Sequence, residues 1–154
     1  MSFMFSNCHG LTSLEIKNFN TSKVEDMSYM FYYCNSLFEL DVSEFNTNKV
    51  RNMSKMFSEC TNLKKIDVSK FNTEKCEDMS ALFEDLYQLE SIDLKNSNSS
   101  QTKNTTKMFQ NCNKISSLDI PNFKTEKVQD ISYMFYQCGS LTSLDIKNLS
   151  HQML

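Results

Sequence analysis

One short block of sequence recurs through the whole chain at a constant spacing of 26 residues. The block reads Met-Phe-x-x-Cys, and its copies begin at Met4, Met30, Met56, Leu82, Met108 and Met134. No insertion or deletion interrupts the spacing, so six repeats cover the 154 residues. A fixed period of about 20 to 50 residues is typical of repeat proteins, in which each repeat packs on its neighbours. The sequence therefore predicts a single solenoid over residues 1–154, without a linker or a second domain.

Apolar residues occupy about nine positions of each repeat. The segment 63–83 gives the predicted core positions, which are Leu63, Ile66, Val68, Phe71, Met79, Leu82 and Phe83. Nine buried apolar side chains contribute roughly 15–25 kcal/mol, whereas ordering one repeat costs on the order of 40 kcal/mol of conformational entropy. A single repeat cannot fold alone, and stacking between repeats must supply the difference.

The spacing within a repeat predicts its local structure. Leu40 and Val42 flank Asp41 with a period of two, which predicts a short strand with Asp41 pointing outward. The Asn-Thr pairs, as at 46–47, favour a turn. The block Ser-x-Met-Phe-x-x-Cys predicts a helix of one to two turns with Ser28 near its start. We therefore predict an α/β repeat fold, a right-handed solenoid with one parallel sheet edge and short helical or irregular edges.

The segments 37–47 and 63–73 resemble the core of a leucine-rich repeat, Leu-x-x-Leu-x-Val-x-x-Phe-Asn. The extension Val-x-x-Met-Ser-x-Met-Phe-x-x-Cys, as at 50–60, resembles the BspA-type repeats of mycoplasmas, oral anaerobes and some parasitic protists. The resemblance spans nearly the whole chain. It implies a leucine-rich-repeat solenoid that belongs to a longer cell-surface or secreted protein, such as a lipoprotein, and binds other proteins. It supplies no catalytic residues.

Composition excludes several other classes of protein. Two glycines are too few for a phosphate loop, and the two histidines, His9 and His151, disfavour a histidine-built metal site or catalytic triad. A net charge of −3 argues against a nucleic-acid partner. No apolar run has the length of a membrane-spanning helix, and no signal peptide is visible. We therefore expect no enzymatic activity, no cofactor, no metal and no membrane insertion in this segment.

Five cysteines share one position of the repeat, and the sixth, Cys76, replaces a valine. The five are Cys8, Cys34, Cys60, Cys112 and Cys138. One cysteine per repeat cannot converge four ligands on a zinc ion. Disulfides between neighbours are conceivable, although parallel side-chain vectors make their geometry poor. The pattern favours buried, reduced thiols that pack as small apolar groups.

Every repeat carries a carboxylate at the outward position of the predicted strand. The six residues are Glu15, Asp41, Asp67, Asp93, Asp119 and Asp145. Two interpretations remain open: a solvated column offset by neighbouring serines and lysines, or an acidic stripe that receives a basic protein, with calcium as a further alternative. An aromatic patch at Tyr29, Tyr32 and Tyr33 is the alternative binding surface, since exposed tyrosines anchor interfaces. Glu25, Arg51, Glu77 and Lys103 alternate in charge, which predicts pairing between repeats.

The polar run from Asn96 to Thr106 departs from the pattern, as does Leu86 in the cysteine position. It predicts either a loosened corner or a functional spot. Met1 shares its position with Met27, and Leu154 shares its position with Val24, so both ends fall inside a repeat. This predicts a fragment of a longer array or a chain whose ends associate.

These observations predict a non-catalytic protein-binding module. The first hypothesis is recognition or adhesion at a cell surface, through the extended strand face and with a host or extracellular matrix protein as ligand. The alternative is a cytoplasmic repeat scaffold that positions other domains of a longer protein.

Overall fold

The computed structural model describes residues 1–145, and these residues wind as a repeat solenoid. Backbone groups that bond between successive coils lie about one repeat apart in sequence. We number positions within a repeat from 1 to 26, so that Met1 and Met27 both occupy position 1. His151 and Leu154, for which the sequence made predictions, lie outside the described residues.

The predicted strands are present but very short. They are β1 (Glu39–Leu40), β2 (Lys65–Ile66), β3 (Ser117–Leu118) and β4 (Ser143–Leu144). Strand β1 pairs with β2 and β3 with β4, both in parallel, which gives two small sheets in the described residues instead of the single sheet predicted. Because each strand contributes two residues, the absence of a strand in the fourth repeat is enough to divide the edge. One bond from the Glu90 N–H to the Lys64 carbonyl, 3.3 Å long, joins the fourth repeat to the third on this edge.

The core runs through the middle of the coil. All seven core positions predicted in the segment 63–83 are buried, none more than 7% exposed. The phenylalanines at position 5 form a continuous stack in which neighbouring ring centroids lie 5.5–5.9 Å apart. Its members are Phe5, Phe31, Phe57, Phe83, Phe109 and Phe135. Stacking of repeats thus buries what a single repeat would leave exposed.

The helix predicted at Ser-x-Met-Phe-x-x-Cys is wrong, because no helix occurs among residues 1–145. The segment is a series of tight turns, in which the N–H groups of Met30, Tyr32 and Cys34 bond to carbonyls three residues earlier. Tyr29 and Tyr33 have φ angles of 57° and 59°, in the left-handed region. Such residues interrupt an α-helix, since its backbone is right-handed throughout. The fold therefore has no α component in the described residues. We call this segment, positions 1–8 of each repeat, the turn edge.

Hydrogen bonds along the turn edge join each repeat to the next. The N–H groups of Met27, Tyr29, Phe31 and Tyr33 donate to four carbonyls of the neighbouring coil, each over 2.9 Å. The acceptors are those of Asn52, Ser54, Met56 and Ser58. Equivalent bonds recur along the later turn edges, and they all run from a donor to an acceptor 25 residues further along the chain. The turn edge is thus a polar ladder with a fixed direction.

Buried hydroxyl groups form a second ladder at position 21. The Thr47 hydroxyl donates to the carbonyl of Asn72 over 2.9 Å and accepts the N–H of the same residue over 2.8 Å. Thr21, Thr73 and Ser99 make the same pair of bonds to the next repeat. The Asn-Thr pair therefore does more than make the predicted turn, since its threonine ties neighbouring repeats together.

A third ladder at position 26 was not predicted. Its side chains alternate between carboxylate and amide, as Asp26, Asn52, Asp78, Asn104 and Asp130. Each Oδ1 accepts the N–H of the residue two places on, over 2.8–3.0 Å. Alternation separates the like charges that would otherwise stack directly on each other.

The predicted pairing in the charge-alternating column is confirmed at its centre. Glu77 bonds to Arg51 over 3.0 Å and to Lys103 over 2.6 Å, one from each neighbouring repeat. These hydrogen bonds lower the pKa of the Glu77 carboxyl, and the bond to Lys103 has the larger effect. The pairs are exposed, so their effect is on the register between repeats more than on stability.

The polar run from Asn96 to Thr106 is not a loosened corner. Ser97, Ser99, Thr102 and Thr105 are all buried. The Thr102 hydroxyl donates to the carbonyl of Cys76 over 3.0 Å. Small hydroxyl side chains stand here where other repeats have apolar ones, and they bond to backbone carbonyls. The segment therefore stays packed.

The cysteines are free thiols, and Cys34, Cys60 and Cys112 are buried. The Cys60 thiol donates to the carbonyl of Phe31 over 3.1 Å, and Cys34 bonds Phe5 in the same way. Burial raises the pKa of Cys60 to about 12 and that of Cys34 to about 11. These thiols are apolar packing groups with a weak bond to backbone, as the sequence predicted.

A candidate binding surface on the strand face

The outward side chains of the strand edge form one extended surface, which we call the strand face. Position 13 contributes one column and position 15 contributes the carboxylate column, and every member of both is exposed. The first column is Ser13, Glu39, Lys65, Ser91, Ser117 and Ser143. The second is Glu15, Asp41, Asp67, Asp93, Asp119 and Asp145. At the spacing of parallel strands the carboxylate column is about 25 Å long.

Three open depressions lie along the strand face. The first, of about 460 Å³, is lined by residues 12–17 together with Phe38, Glu39 and Asp41. The second, of about 350 Å³, lies between the first two strands, and the third, of about 430 Å³, between the last two. The surface is therefore a shallow row of hollows, suited to an extended or knobbed partner surface more than to a small molecule.

The carboxylates are held in place by hydrogen bonds within their own repeat. Oδ1 of Asp41 accepts the Ser43 hydroxyl over 2.6 Å and the Ser43 N–H over 3.1 Å. Asp67 makes the same two bonds with Ser69, and Asp93 accepts the N–H of Lys95. The hydroxyl bond, first among the causes, lowers the pKa of Asp41 and Asp67. Hydrogen bonds therefore fix the positions of Asp41, Asp67 and Asp93.

Cations reach the column at two places. Lys17 lies 3.4 Å from the Asp41 carboxylate, across the boundary between the first two repeats. Lys65 stands opposite Glu39 in the strand register, in the column beside the carboxylates. The strand face is consequently negative along the carboxylate column, with the positive charge of Lys65 beside it in the third repeat. Lys17 and Ser43 thus offset Asp41, and Ser69 offsets Asp67.

Phe38 is a feature of the strand face that the sequence interpretation missed. Its ring is 50% exposed and lines the first depression beside Asp41. The equivalent residues are all polar, namely Thr12, Lys64, Glu90, Ser116 and Thr142. This single aromatic in a polar column was the available signal. An exposed aromatic beside charged groups is a typical interface anchor.

The tyrosine patch lies on the turn edge, and its rings are largely used by the fold. Tyr29 stacks on Phe3 with centroids 4.6 Å apart and contacts Tyr32 edge to face at 5.4 Å. The Lys55 ammonium covers both tyrosine rings at 5.7 and 5.8 Å. Tyr33 contacts His9 at 4.8 Å. The structure thus brings Tyr29, Tyr32 and Tyr33 together, but away from the carboxylate column.

A second unpredicted group is a carboxylate cluster on the turn edge of the third and fourth repeats. Glu84 and Asp85 are buried, and Glu84 accepts the Ser58 hydroxyl over 3.0 Å and lies 3.5 Å from Lys107. Asp85 accepts bonds from Asn111 and from the Tyr87 hydroxyl. The pKa of Glu59 is raised mainly by burial and, to a smaller extent, by the charges of Asp85 and Glu84. Among residues 1–145, no three His, Cys, Asp or Glu side chains are placed to hold a metal ion.

The fold and this surface define a leucine-rich-repeat type of protein, a repeat solenoid with one regular exposed face. The chain belongs to the family described as mycoplasma protein of unknown function, DUF285, whose model matches residues 1–118 and again 91–153. No curated protein matches the chain. Within the described range, no helix is long and apolar enough to cross a membrane.

The chain is similar to two solved structures. A leucine-rich repeat protein from Eubacterium ventriosum is 20% identical, with a TM-score of 0.51 over 79% of this chain and 29% of that one. A leucine-rich repeat protein from Bacteroides ovatus is 16% identical, with a TM-score of 0.33 over 78% and 39%. The chain spans less than a third of the Eubacterium protein. The former likeness supports a leucine-rich-repeat fold.

Proposed function

We propose that the chain is a non-catalytic protein-binding module that recognises a basic protein surface through its strand face. The observation that carries the proposal is Phe38, an exposed aromatic in a hollow bordered by carboxylates, of which Asp41 is held by hydrogen bonds. The aromatic ring supplies apolar contact area, and the carboxylates supply attraction to lysine and arginine side chains.

The shape of the surface supports this proposal over an enzymatic one. Catalysis requires a nucleophile, a base and an orienting group that converge in a pocket. The strand face instead places equivalent residues in lines, and its hollows are open. Leucine-rich repeat proteins, to which the fold belongs, are generally not enzymes.

The wider setting is also a proposal. We place the module at a cell surface or in the secreted fraction, as in BspA-type surface proteins, with a host or extracellular matrix protein as ligand. We further propose six 26-residue turns wound as a right-handed solenoid, the sense that parallel strand crossovers favour. A cytoplasmic scaffold is the alternative, and a leader or anchor in the full-length sequence would distinguish the two.

The proposal is tested with two matrix proteins as probes, fibronectin and laminin, immobilised for biolayer interferometry against the purified chain. We expect binding to at least one probe and a loss of about tenfold in affinity for Phe38→Ser. The matched control is Tyr136→Ser, since Tyr136 is equally exposed but lies on the turn edge.

The two variants separate the possible outcomes. Equal losses in both variants would show that an exposed aromatic anywhere is enough, and would refute the strand face as the site. A loss confined to Tyr136→Ser would move the site to the turn edge. Absence of binding to both probes would refute the matrix-protein ligand.

A further inference from the structure

The exposed ring of Phe38 lacks the contacts that the other exposed aromatics make. It is 50% exposed, and within the described part of the chain it stacks on no other ring and has no cation over its face. Tyr29 and Tyr32 on the turn edge differ, because the Lys55 ammonium covers both rings at 5.7 and 5.8 Å. Described repeats flank Phe38 on both sides, so its exposure is a property of the coil itself.

The hollow beside Phe38 carries an excess of negative charge. Its lining includes the carboxylates of Glu15, Glu39 and Asp41 and the ammonium of Lys17. Lys17 lies 3.4 Å from Asp41, so that carboxylate already has a cation. Glu15 and Glu39 form no ion pair and no side-chain hydrogen bond with any other residue that the structure describes. The hollow therefore holds two carboxylates without a cation, next to an aromatic face without a stacking partner.

An arginine side chain suits such a lining better than a lysine side chain does. The guanidinium group is planar and weakly hydrated, so it can stack flat on an aromatic ring while its N–H groups donate to carboxylates at its edge. Its five N–H donors are enough for two carboxylates at once. The lysine ammonium is a compact and strongly hydrated charge, which loses more on leaving water and covers less of the ring.

The charges around the hollow limit where a cation can enter it. Lys64 and Lys65 occupy positions 12 and 13 of the third repeat, and the Lys64 N–H bonds to the Phe38 carbonyl over 3.3 Å. The same positions of the first repeat are uncharged, as Thr12 and Ser13, and both line the hollow. Because like charges repel, a cation is kept from the side of the third repeat and is admitted on the side of the first.

From this lining we propose that the hollow binds an arginine side chain of the partner in preference to a lysine side chain. The guanidinium stacks on the Phe38 ring and donates N–H groups to Glu15 and Glu39. This inference rests on the proposed function, since it names the group that the strand face recognises in a basic partner. Because no other repeat has an aromatic residue at position 12, the arginine also fixes the register of the partner along an otherwise repetitive face.

The test titrates two capped tripeptides, acetyl-Gly-Arg-Gly-amide and acetyl-Gly-Lys-Gly-amide, into the whole chain labelled with nitrogen-15. Backbone amide shifts of residues 12–17 and 38–41 report binding in NMR spectra. We expect the arginine peptide to bind about fivefold or more tightly than the lysine peptide. Phe38→Leu keeps an apolar side chain without a ring face and should bring the two affinities together. Glu39→Gln should weaken the arginine peptide about threefold or more, whereas the control Glu74→Gln, off the strand face, should not.

The outcomes separate this inference from the proposed function. Equal affinities of the wild type for the two peptides would overturn the arginine preference and leave recognition of a basic protein surface intact. A preference that survives in Phe38→Leu would overturn stacking as its cause. Shifts centred away from the hollow, or no shift with either peptide at millimolar concentrations, would overturn the site. Binding of the arginine peptide in the hollow without binding of fibronectin or laminin would support the inference and refute the matrix-protein ligand alone.

Discussion

Glu59 shows how one side chain can oppose the fold that contains it. Its carboxyl has a raised pKa because burial disfavours the charged form and because Asp85 and Glu84 lie nearby. The folded state therefore binds the Glu59 proton more tightly than the unfolded state does. This contribution to stability is complete below the ordinary glutamate pKa and is lost as the pH rises through the raised value.

Replacing Glu59 by glutamine should consequently stabilise the protein near neutral pH. We expect the melting temperature of Glu59→Gln to exceed that of the wild type at about pH 7.5 and to equal it below about pH 4, where Glu59 is protonated. Glu74→Gln, at an exposed site, is the control and should behave as wild type at both pH values. Equal melting temperatures of Glu59→Gln and the wild type at about pH 7.5 would contradict the account.

The buried thiols give a second prediction at this scale. Burial raises the pKa of Cys60 to about 12, so almost no thiolate exists at neutral pH, and the sulfur is covered. A disulfide reagent added to the native protein should react first with Cys8 and Cys138, which are partly exposed, and with Cys60 only on unfolding. Mass spectrometry of the labelled peptides measures the order. Rapid labelling of Cys60 in the native state would be inconsistent with this packing.

Among the elements, the hydroxyl ladder at position 21 offers the clearest test of what joins the repeats. Thr47→Val keeps the size of the side chain but leaves the N–H and carbonyl of Asn72 without their partner. We expect a loss of about 1–3 kcal/mol in the free energy of unfolding. Urea denaturation measures it, with Thr47→Ser as the matched control that retains the hydroxyl. Equal stability of the valine variant and the wild type would show that the ladder contributes nothing.

The turn edge explains why one element could not be predicted from sequence. Met27, Met30, Phe31 and Cys34 follow the spacing of an amphipathic helix, so periodicity alone predicts a helix there. What decides against it is non-local, since the neighbouring coil offers four carbonyls that the N–H groups of this edge can reach. The strand and core positions were predictable because burial on one side of a repeat leaves a direct pattern in the sequence.

The absence of helix is itself measurable. Because the described residues contain turns and short strands only, the far-ultraviolet circular dichroism spectrum should lack the paired minima of α-helix. A spectrum with a substantial helical component would contradict the structure of the turn edge in several repeats at once.

Over the whole molecule, most of the features that could be predicted from the sequence follow from its regular 26-residue spacing. The repeat unit, the core and the exposed carboxylates all follow from residues that recur at one position. Phe38 and the cluster of Glu59, Glu84 and Asp85 were missed because they are exceptions within their columns, and a consensus hides exceptions. In a repeat protein, the residues that depart from the consensus are therefore the candidates for determining which partner is bound.

The most direct test of the central claim, that the strand face is the recognition surface, is the association rate with the matrix protein that binds. Asp67→Lys with Asp93→Lys reverses two charges at the centre of the stripe. Glu74→Lys with Glu126→Lys makes the same change in net charge at exposed sites off the strand face. We predict that at low salt the first pair slows association about tenfold or more while the second stays near the wild-type rate, and that added salt removes the difference. Equal rates for the two double variants at low salt would contradict the claim.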